Sequence, residues 1–417
     1  MALSRQEMRP SRARPVLIVA TGLTLFVFAF PVILADLGPG PLFFYRLLIF
    51  PADVMLAATA IAALVVAIQQ RERPQIGTAL LGGLTLMLGI ALAVHPSPLG
   101  ALDVARFAGA TALAFAVSKL SREERLIAVG VIGAVALAQL GLALAQEIQR
   151  GPLGLTSFGE IADPLLDYGP VAPRGTMHAQ YVLAGLSLIA ALLLVREGFE
   201  RRSSAIWLVL AGIAIVPVGM TFSRAAAVGV ALACASLALG FVRQRRLVAT
   251  AILCLAVGAG LTAVVFSEGW LAKVSGGGIS ANGRDILTEE AFALIATSPL
   301  VGIGPGRSVV VLMERYPVPP AIVGYQPAHD LPLLAAVEGG IPAGVIAVAL
   351  LVALGWRARR DVRALALFGA FLPLVLTDHY PYTFLQGVVL LGAWVGMLDG
   401  FSSTEPVSAG APPRSDE

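Results

Sequence analysis

Charge is what this chain has least of. Only 13% of its 417 residues are Asp, Glu, Lys or Arg, while 57% are hydrophobic and the mean hydropathy is +0.84. No soluble domain of this length hides so much apolar surface, so a bilayer must solvate much of it. Cysteine is scarce too. Cys234 and Cys254 both fall in apolar runs, which reads as small core residues and argues against a disulfide framework. There are four histidines. No two of them stand four apart with a Glu between, no cysteines pair up, and no Asp motif clusters. A dedicated metal-ligand spacing is therefore missing, and no metal or other cofactor is expected. No nucleic-acid partner is expected either. Tandem repeats, coiled-coil heptads and a soluble domain boundary are all lacking.

What is present is a succession of apolar runs. Crossing the hydrocarbon core takes about 20 apolar residues. By that measure the candidate spans are 16–35, 51–69, 75–94, 101–118, 126–148, 178–195, 204–222, 225–242, 247–267, 332–354, 364–377 and 382–399. In lipid these must be helices, because only a helix satisfies its own backbone within the segment. The expectation is an all-α polytopic membrane protein of about twelve transmembrane helices, with residues 1–401 as one transmembrane domain. The first run follows Arg5, Arg9, Arg12 and Arg14. Its length and Pro31 make it an uncleaved span rather than a signal peptide. The tail 402–417 is polar and rich in Pro and Ser, a composition of disordered segments.

Basic residues in short connections set the orientation. With the N-terminus inside, alternate connections carry Arg71 and Arg73; Lys119, Arg122 and Arg125; Arg196, Arg201 and Arg202; Arg243, Arg245 and Arg246; and Arg357, Arg359, Arg360 and Arg363. The opposite connections are poor in them. Both termini are thus expected in the cytoplasm. The exceptions need explaining: Arg46, Arg106, Arg150, Arg174, Arg224, Lys273, Arg284, Arg307 and Arg315.

The largest interruption, 268–331, is the expected periplasmic loop between helices nine and ten. A helix is predicted from Asp285 to Thr297, ended by Ser298-Pro299 and the glycines of GIGPGR. That Gly-rich segment lacks the Lys-Ser/Thr ending and preceding strand of a phosphate loop, so it reads as a tight turn closing the loop.

Several side chains in and around this loop admit two readings. Arg224, at the outer end between two spans, is either an interfacial arginine that snorkels or a phosphate clamp with a planar fork of donors. Arg284, after Asn282-Gly283 and before the loop helix, reads as a solvated loop charge. Arg174, with His178 one turn away, reads as a loop arginine beside a boundary histidine. His329 is a structural histidine at a span end or a proton acceptor. Glu338 lies inside an apolar run, where a carboxylate needs a partner or a water-filled cavity. Asp378-His379 closes the next outer turn.

Taken in order, these segments resemble the O-antigen ligase family. The likeness lies in Ser223-Arg224 opening a span, in Gly283-Arg284 opening the large outer loop, in SPLVGIGPG, and in AHD…EGGIPAG entering the next span. RGTMHAQYVLAG resembles the family's Arg-Gly-Thr-…-Pro-Asn segment, with Ala179-Gln180 in place of Pro-Asn. TDHYPYTFLQG resembles an Asp-His-Tyr…Gln-Gly ending seen in some members. His329-Asp330 stands where the family has His-Asn. The likeness covers roughly 170–400.

The resemblance implies a GT-C type membrane glycosyltransferase that takes an undecaprenyl-diphosphate-linked glycan donor to a lipid or glycan acceptor among membrane lipids. The family's essential residues carry over as Arg224 and Arg284, binding the diphosphate, and His329, the base. Arg174, Glu338, Asp330 and His379 are the candidate substrate-binding residues around them. A polysaccharide polymerase would use the same clamp and base. A lipid-linked glycan flippase is the rival from another class. It is disfavoured because no repeated halves are evident and the unusual charges gather beside one loop.

Overall fold

The computed structural model describes residues 13–37, 47–160, 173–201, 204–239, 245–275, 277–316, 318 and 325–401. Arg5, Arg9, Arg12, Arg46, Arg202, Arg243 and the tail from Ser402, all used in the sequence reading, lie outside these residues.

Apolar runs become helices, as a backbone deprived of water requires. In chain order they are α1 Ala13–Val27, α2 Pro51–Gln70, α3 Ile76–Val94, α4 Pro98–Ser118, α5 Arg122–Gln149, α6 Gln180–Glu200, α7 Ser204–Ala214, α8 Val216–Met220 and α9 Arg224–Ala238. There follow α10 Arg245–Val265, α11 Ser267–Ser275, α12 Gly277–Thr297, α13 Ser308–Arg315, α14 Leu331–Ala358, α15 Val362–Thr377, α16 Tyr380–Thr383 and α17 Leu385–Phe401. Strand structure among the described residues is confined to β1 Ala35–Asp36 and β2 Leu48–Ile49, paired antiparallel. The protein is all-α.

Every predicted span falls on one of these apolar helices, the seventh being divided between α7 and α8. Seven helices, α2 to α6, α10 and α14, are long and apolar enough to cross a membrane, and the shorter apolar ones run 10–17 residues. The first span departs from expectation. Helix α1 stops at Val27, because Pro31 has no N–H to continue the ladder and disfavours helical backbone at Phe30. The large loop holds more helix than predicted: α12 begins at Gly277 rather than Asp285, and α11 and α13 flank it.

Helices α6 and α17 occupy the centre, with α17 buried along its whole length. Lipid tails are as apolar as leucine, so close backbone packing rather than hydrophobicity holds such helices together. Gly392 and Gly396 do this on α17. A Cβ on either would come within 2.6 Å of the Ala110 or Ala114 carbonyl of α4. Trp394 between them stacks on Phe368 and donates Nε1–H to the Leu367 carbonyl at 3.0 Å.

The charges sort to two ends. At one end Arg14 pairs with Glu124 at 3.1 Å, Lys119 with Glu72 at 2.8 Å, and Arg363 with Glu200 at 3.2 Å. Asp399 there accepts the N–H groups of Gly77 and Thr78, capping α3 from another helix. This brings connections α2–α3, α4–α5 and α14–α15 to one face, the grouping expected of the basic loops. Arg106, an exception within a span, forms a two-pronged pair with Asp53 at 2.8 and 3.1 Å. Arg224 and Arg284 share a pocket at the opposite end.

Candidate active site

The site is framed by a break in α14. Pro342 has no N–H to give the Glu338 carbonyl, and Gly340 sits at φ 80°, outside helical space. The turn after α12 fills the gap. Ile303 N–H donates to Val337 O at 2.9 Å, Gly304 N–H to Glu338 O at 3.1 Å, and Ile341 N–H to Pro299 O at 2.8 Å. SPLVGIGPG and EGGIP are therefore two halves of one brace. Gly302 and Gly340 face each other's strand so closely that a Cβ on either would lie 2.4 Å from backbone.

Glu338 completes the brace with its side chain. The carboxylate accepts from Gly306 N–H at 2.9 Å and from the Ser308 hydroxyl at 2.8 Å, and lies 3.3 Å from Ser308 N. It thus satisfies N–H groups that the start of α13 leaves without an intrahelical partner. This is the partner that its depth demanded. Asp330 is also occupied: it N-caps α14, its Oδ1 accepting from Leu333 N–H at 2.7 Å. Asp and Asn cap helices about equally well, which accounts physically for Asp in the family's Asn position.

His329 immediately precedes that cap. The segment leading to it is tied down by Tyr325, whose hydroxyl donates to Tyr316 O at 2.6 Å. The Tyr316 hydroxyl in turn reaches Glu290 of α12 at 2.6 Å. So α12, which carries Arg284, and the approach to His329 are joined. The His329 ring packs perpendicular to His379, with centroids 5.0 Å apart. Its Nδ1 is buried without a hydrogen-bond partner. Burial, then the Arg284 charge, push the imidazole down to about 4, with the Pro327 backbone opposing. His379 is held well below the ordinary histidine range by burial, then by His329 and Arg284. At neutral pH both rings are therefore uncharged.

Arg224 opens α9 behind Ser223, whose hydroxyl caps the helix by accepting Ala226 N–H at 3.2 Å. The corner before it is unusual. Phe222 adopts φ 51°, rare for a bulky side chain, and packs edge-on against Trp270 of α11. Trp270 donates to Gly219 O at 2.8 Å, so α11 pins this corner. Arg224 and Arg284 line a single pocket with Asp378, Tyr181, Phe222 and Thr377. Its volume of about 40 Å³ has room for roughly three waters. Its two guanidinium groups suit an anion.

Arg174 is placed elsewhere. It is buried, its N–H and that of Gly175 donate to Gln146 Oε1, and its guanidinium faces the His178 carbonyl at 3.4 Å. Rings connect His178 to the site: Phe384 lies 6.1 Å from it and 5.9 Å from His379. The structure thus pairs His329 with His379, within reach of the Arg284 charge, and joins Arg284 to Arg224 in one pocket. It sets Glu338 and Asp330 in the supporting backbone and Arg174 in a separate polar cluster. Sequence reasoning named Asp378 only as the neighbour of His379 in the outer turn, and did not single out Tyr181 or Thr383. Asp378 adjoins His379 in TDHY, and Thr383 stands one turn beyond it, so both were within reach of a helical-spacing argument. Among the described residues no three His, Cys, Asp or Glu side chains are grouped to hold a metal ion.

Residues 207–348 match the family model described as O-antigen ligase. The matched segment runs from α7 into α14 and includes Arg224, Arg284, His329, Asp330 and Glu338. His379 and Arg174 lie outside it. No curated protein matches the chain.

Proposed function

From a membrane protein whose residues 207–348 are of the O-antigen ligase family, we propose transfer of a glycan from an undecaprenyl-diphosphate carrier to an acceptor hydroxyl. The reaction takes place at the periplasmic face of the bacterial inner membrane, with both termini in the cytoplasm. Ligase- or polymerase-type chemistry in polysaccharide biosynthesis is what the family supports. The donor and the chemical steps are our reading. The observation that carries it is the convergence of Arg224 and Arg284, two basic residues at the end opposite the basic connections, in one pocket. Both neutral imidazoles feel the Arg284 charge.

The steps follow from that geometry. His329, uncharged at neutral pH, accepts the proton of the acceptor hydroxyl. The oxygen attacks the anomeric carbon, and the bond from that carbon to the diphosphate oxygen breaks. The electron pair leaves with the diphosphate, whose growing charge Arg224 and Arg284 stabilise. The proton remains on His329 until the diphosphate carrier departs. A single displacement inverts the anomeric carbon. The donor's lipid stays in the bilayer and approaches between helices.

The test is purified protein in liposomes with a polyprenyl-diphosphate-linked glycan and candidate acceptors. Release of carrier diphosphate together with inverted product, persisting in EDTA, is expected. Movement of donor across the bilayer without glycan transfer would replace this reading with a flippase. Dependence on added Mg²⁺ or Mn²⁺ would assign to a metal the role given to the arginines.

A further inference from the structure

His379 is bonded in a way that fixes its chemistry. The Thr383 hydroxyl, one helical turn on, donates its single hydrogen to the His379 carbonyl at 3.2 Å. Its oxygen therefore serves as acceptor toward His379 Nδ1, 2.7 Å away. With the hydroxyl hydrogen on the carbonyl, the matching arrangement has the proton on Nδ1 and the lone pair on Nε2. The ring so held stands at 89° to His329, with centroids 5.0 Å apart. Phe384 packs against its other side at 5.9 Å.

We propose that His379 is a positioning residue for the base: locked by Thr383 in the Nδ1–H form, its ring holds His329 in one orientation and screens it from water. This deepens the proposed transfer reaction and rests on it for the meaning of "base". It does not require His379 to touch either substrate.

The charged groups around the pair come from every neighbouring element. Arg284 on α12 acts on both rings. Asp378 at the end of α15 adjoins His379, Asp330 adjoins His329, and Arg224 lies across the pocket. Burial is the first cause of the depressed proton affinity of His329, and the His379 ring packed at 5.0 Å contributes to that burial by excluding water. Removing that ring lets water reach His329 and restores the ordinary affinity of imidazole for a proton.

The test is nitrogen NMR on histidine-labelled protein in detergent micelles or nanodiscs. With only four histidines in the chain, each resonance is assigned by a single substitution. His379 should show the Nδ1–H pattern. Thr383→Val should abolish it while leaving a folded protein. His379→Ala should raise the midpoint of His329 by about one pH unit or more, a tenfold change in proton affinity, and the acid limb of transfer should move up with it. Thr383→Val should move the midpoint the same way by less. An Nε2–H pattern for His379, or a His329 midpoint unchanged in His379→Ala, overturns the inference. These readouts need no turnover. If His329→Gln transfers glycan normally while they come out as stated, it is the assignment of the base that fails, and the coupling of the two rings stands.

Discussion

The Gly304 N–H meets the Glu338 carbonyl at 3.1 Å, a carbonyl that Pro342, four residues on, has no hydrogen to satisfy. A broken helix in lipid leaves backbone groups unpaired, and non-helical backbone is tolerated there only where protein covers it. The loop turn is that cover. It joins the loop to α14 and places His329, which leads into α14, and Arg284, on the helix before the turn, in fixed relation.

The brace predicts which glycines are indispensable. Gly302→Ala and Gly340→Ala each set a Cβ 2.4 Å from backbone at positive φ. The left-handed conformation alone costs on the order of 1–3 kcal/mol, and a backbone shift adds to it. Both variants should melt several degrees lower in detergent and lose transfer. Gly22→Ala, on α1 with open space around it, should melt no lower than wild type. Equal melting of all three would show that the turn is not a brace.

The clamp predicts a difference between two cations. Arg224→Ala and Arg284→Ala should lower transfer by roughly two to three orders of magnitude, as for loss of a charge-stabilising donor, with normal membrane levels. Lysine should rescue poorly, since a point charge cannot copy a bidentate fork. Near-wild-type rates for Arg224→Lys would return that residue to interfacial snorkelling.

What the sequence reveals divides along a physical line. The spans were legible because lipid thickness imposes length and apolarity on each one locally. Arg224 and Arg284 were legible because a cation on the wrong face stands out. Glu338 announced a need for a partner. Its identity was not legible, because Gly306 and Ser308 reach it only through the fold. The placement of Arg174 was not legible for the same reason: its backbone N–H is held by Gln146, 28 residues earlier, a contact that only the fold creates. His379 and Thr383 form a one-turn pair that spacing alone contained.

Orientation is open to a direct measurement. The basic connections gather at one end and the pocket at the other, so a cysteine at exposed Glu289 of α12 and one at exposed Glu123 of α5 should lie on opposite sides. In intact spheroplasts an impermeant thiol reagent should label Glu289→Cys alone, and both after lysis. Labelling of Glu123→Cys alone would invert the topology and move the reaction to the cytoplasm.

The pH dependence carries the sharpest consequence of the electrostatics. His329 is held down to about 4, first by burial and then by Arg284. Between that value and the ordinary 6.5, the unfolded chain binds a proton that the folded one refuses. Stability should therefore fall as pH drops through this window, the sign expected of a depressed base. Catalysis divides differently. The profile of kcat/KM reports the free enzyme, so its acid limb should lie near 4 rather than 6.5. The profile of kcat reports the donor-bound enzyme, in which the diphosphate offsets the Arg284 charge. His329 then binds its proton more readily, and the acid limb of kcat should stand above that of kcat/KM. Arg284→Gln should raise the kcat/KM limb and narrow the gap between the two. Coincident limbs in wild type, with a gap unaltered by Arg284→Gln, would mean that Arg284 does not couple the diphosphate to the base.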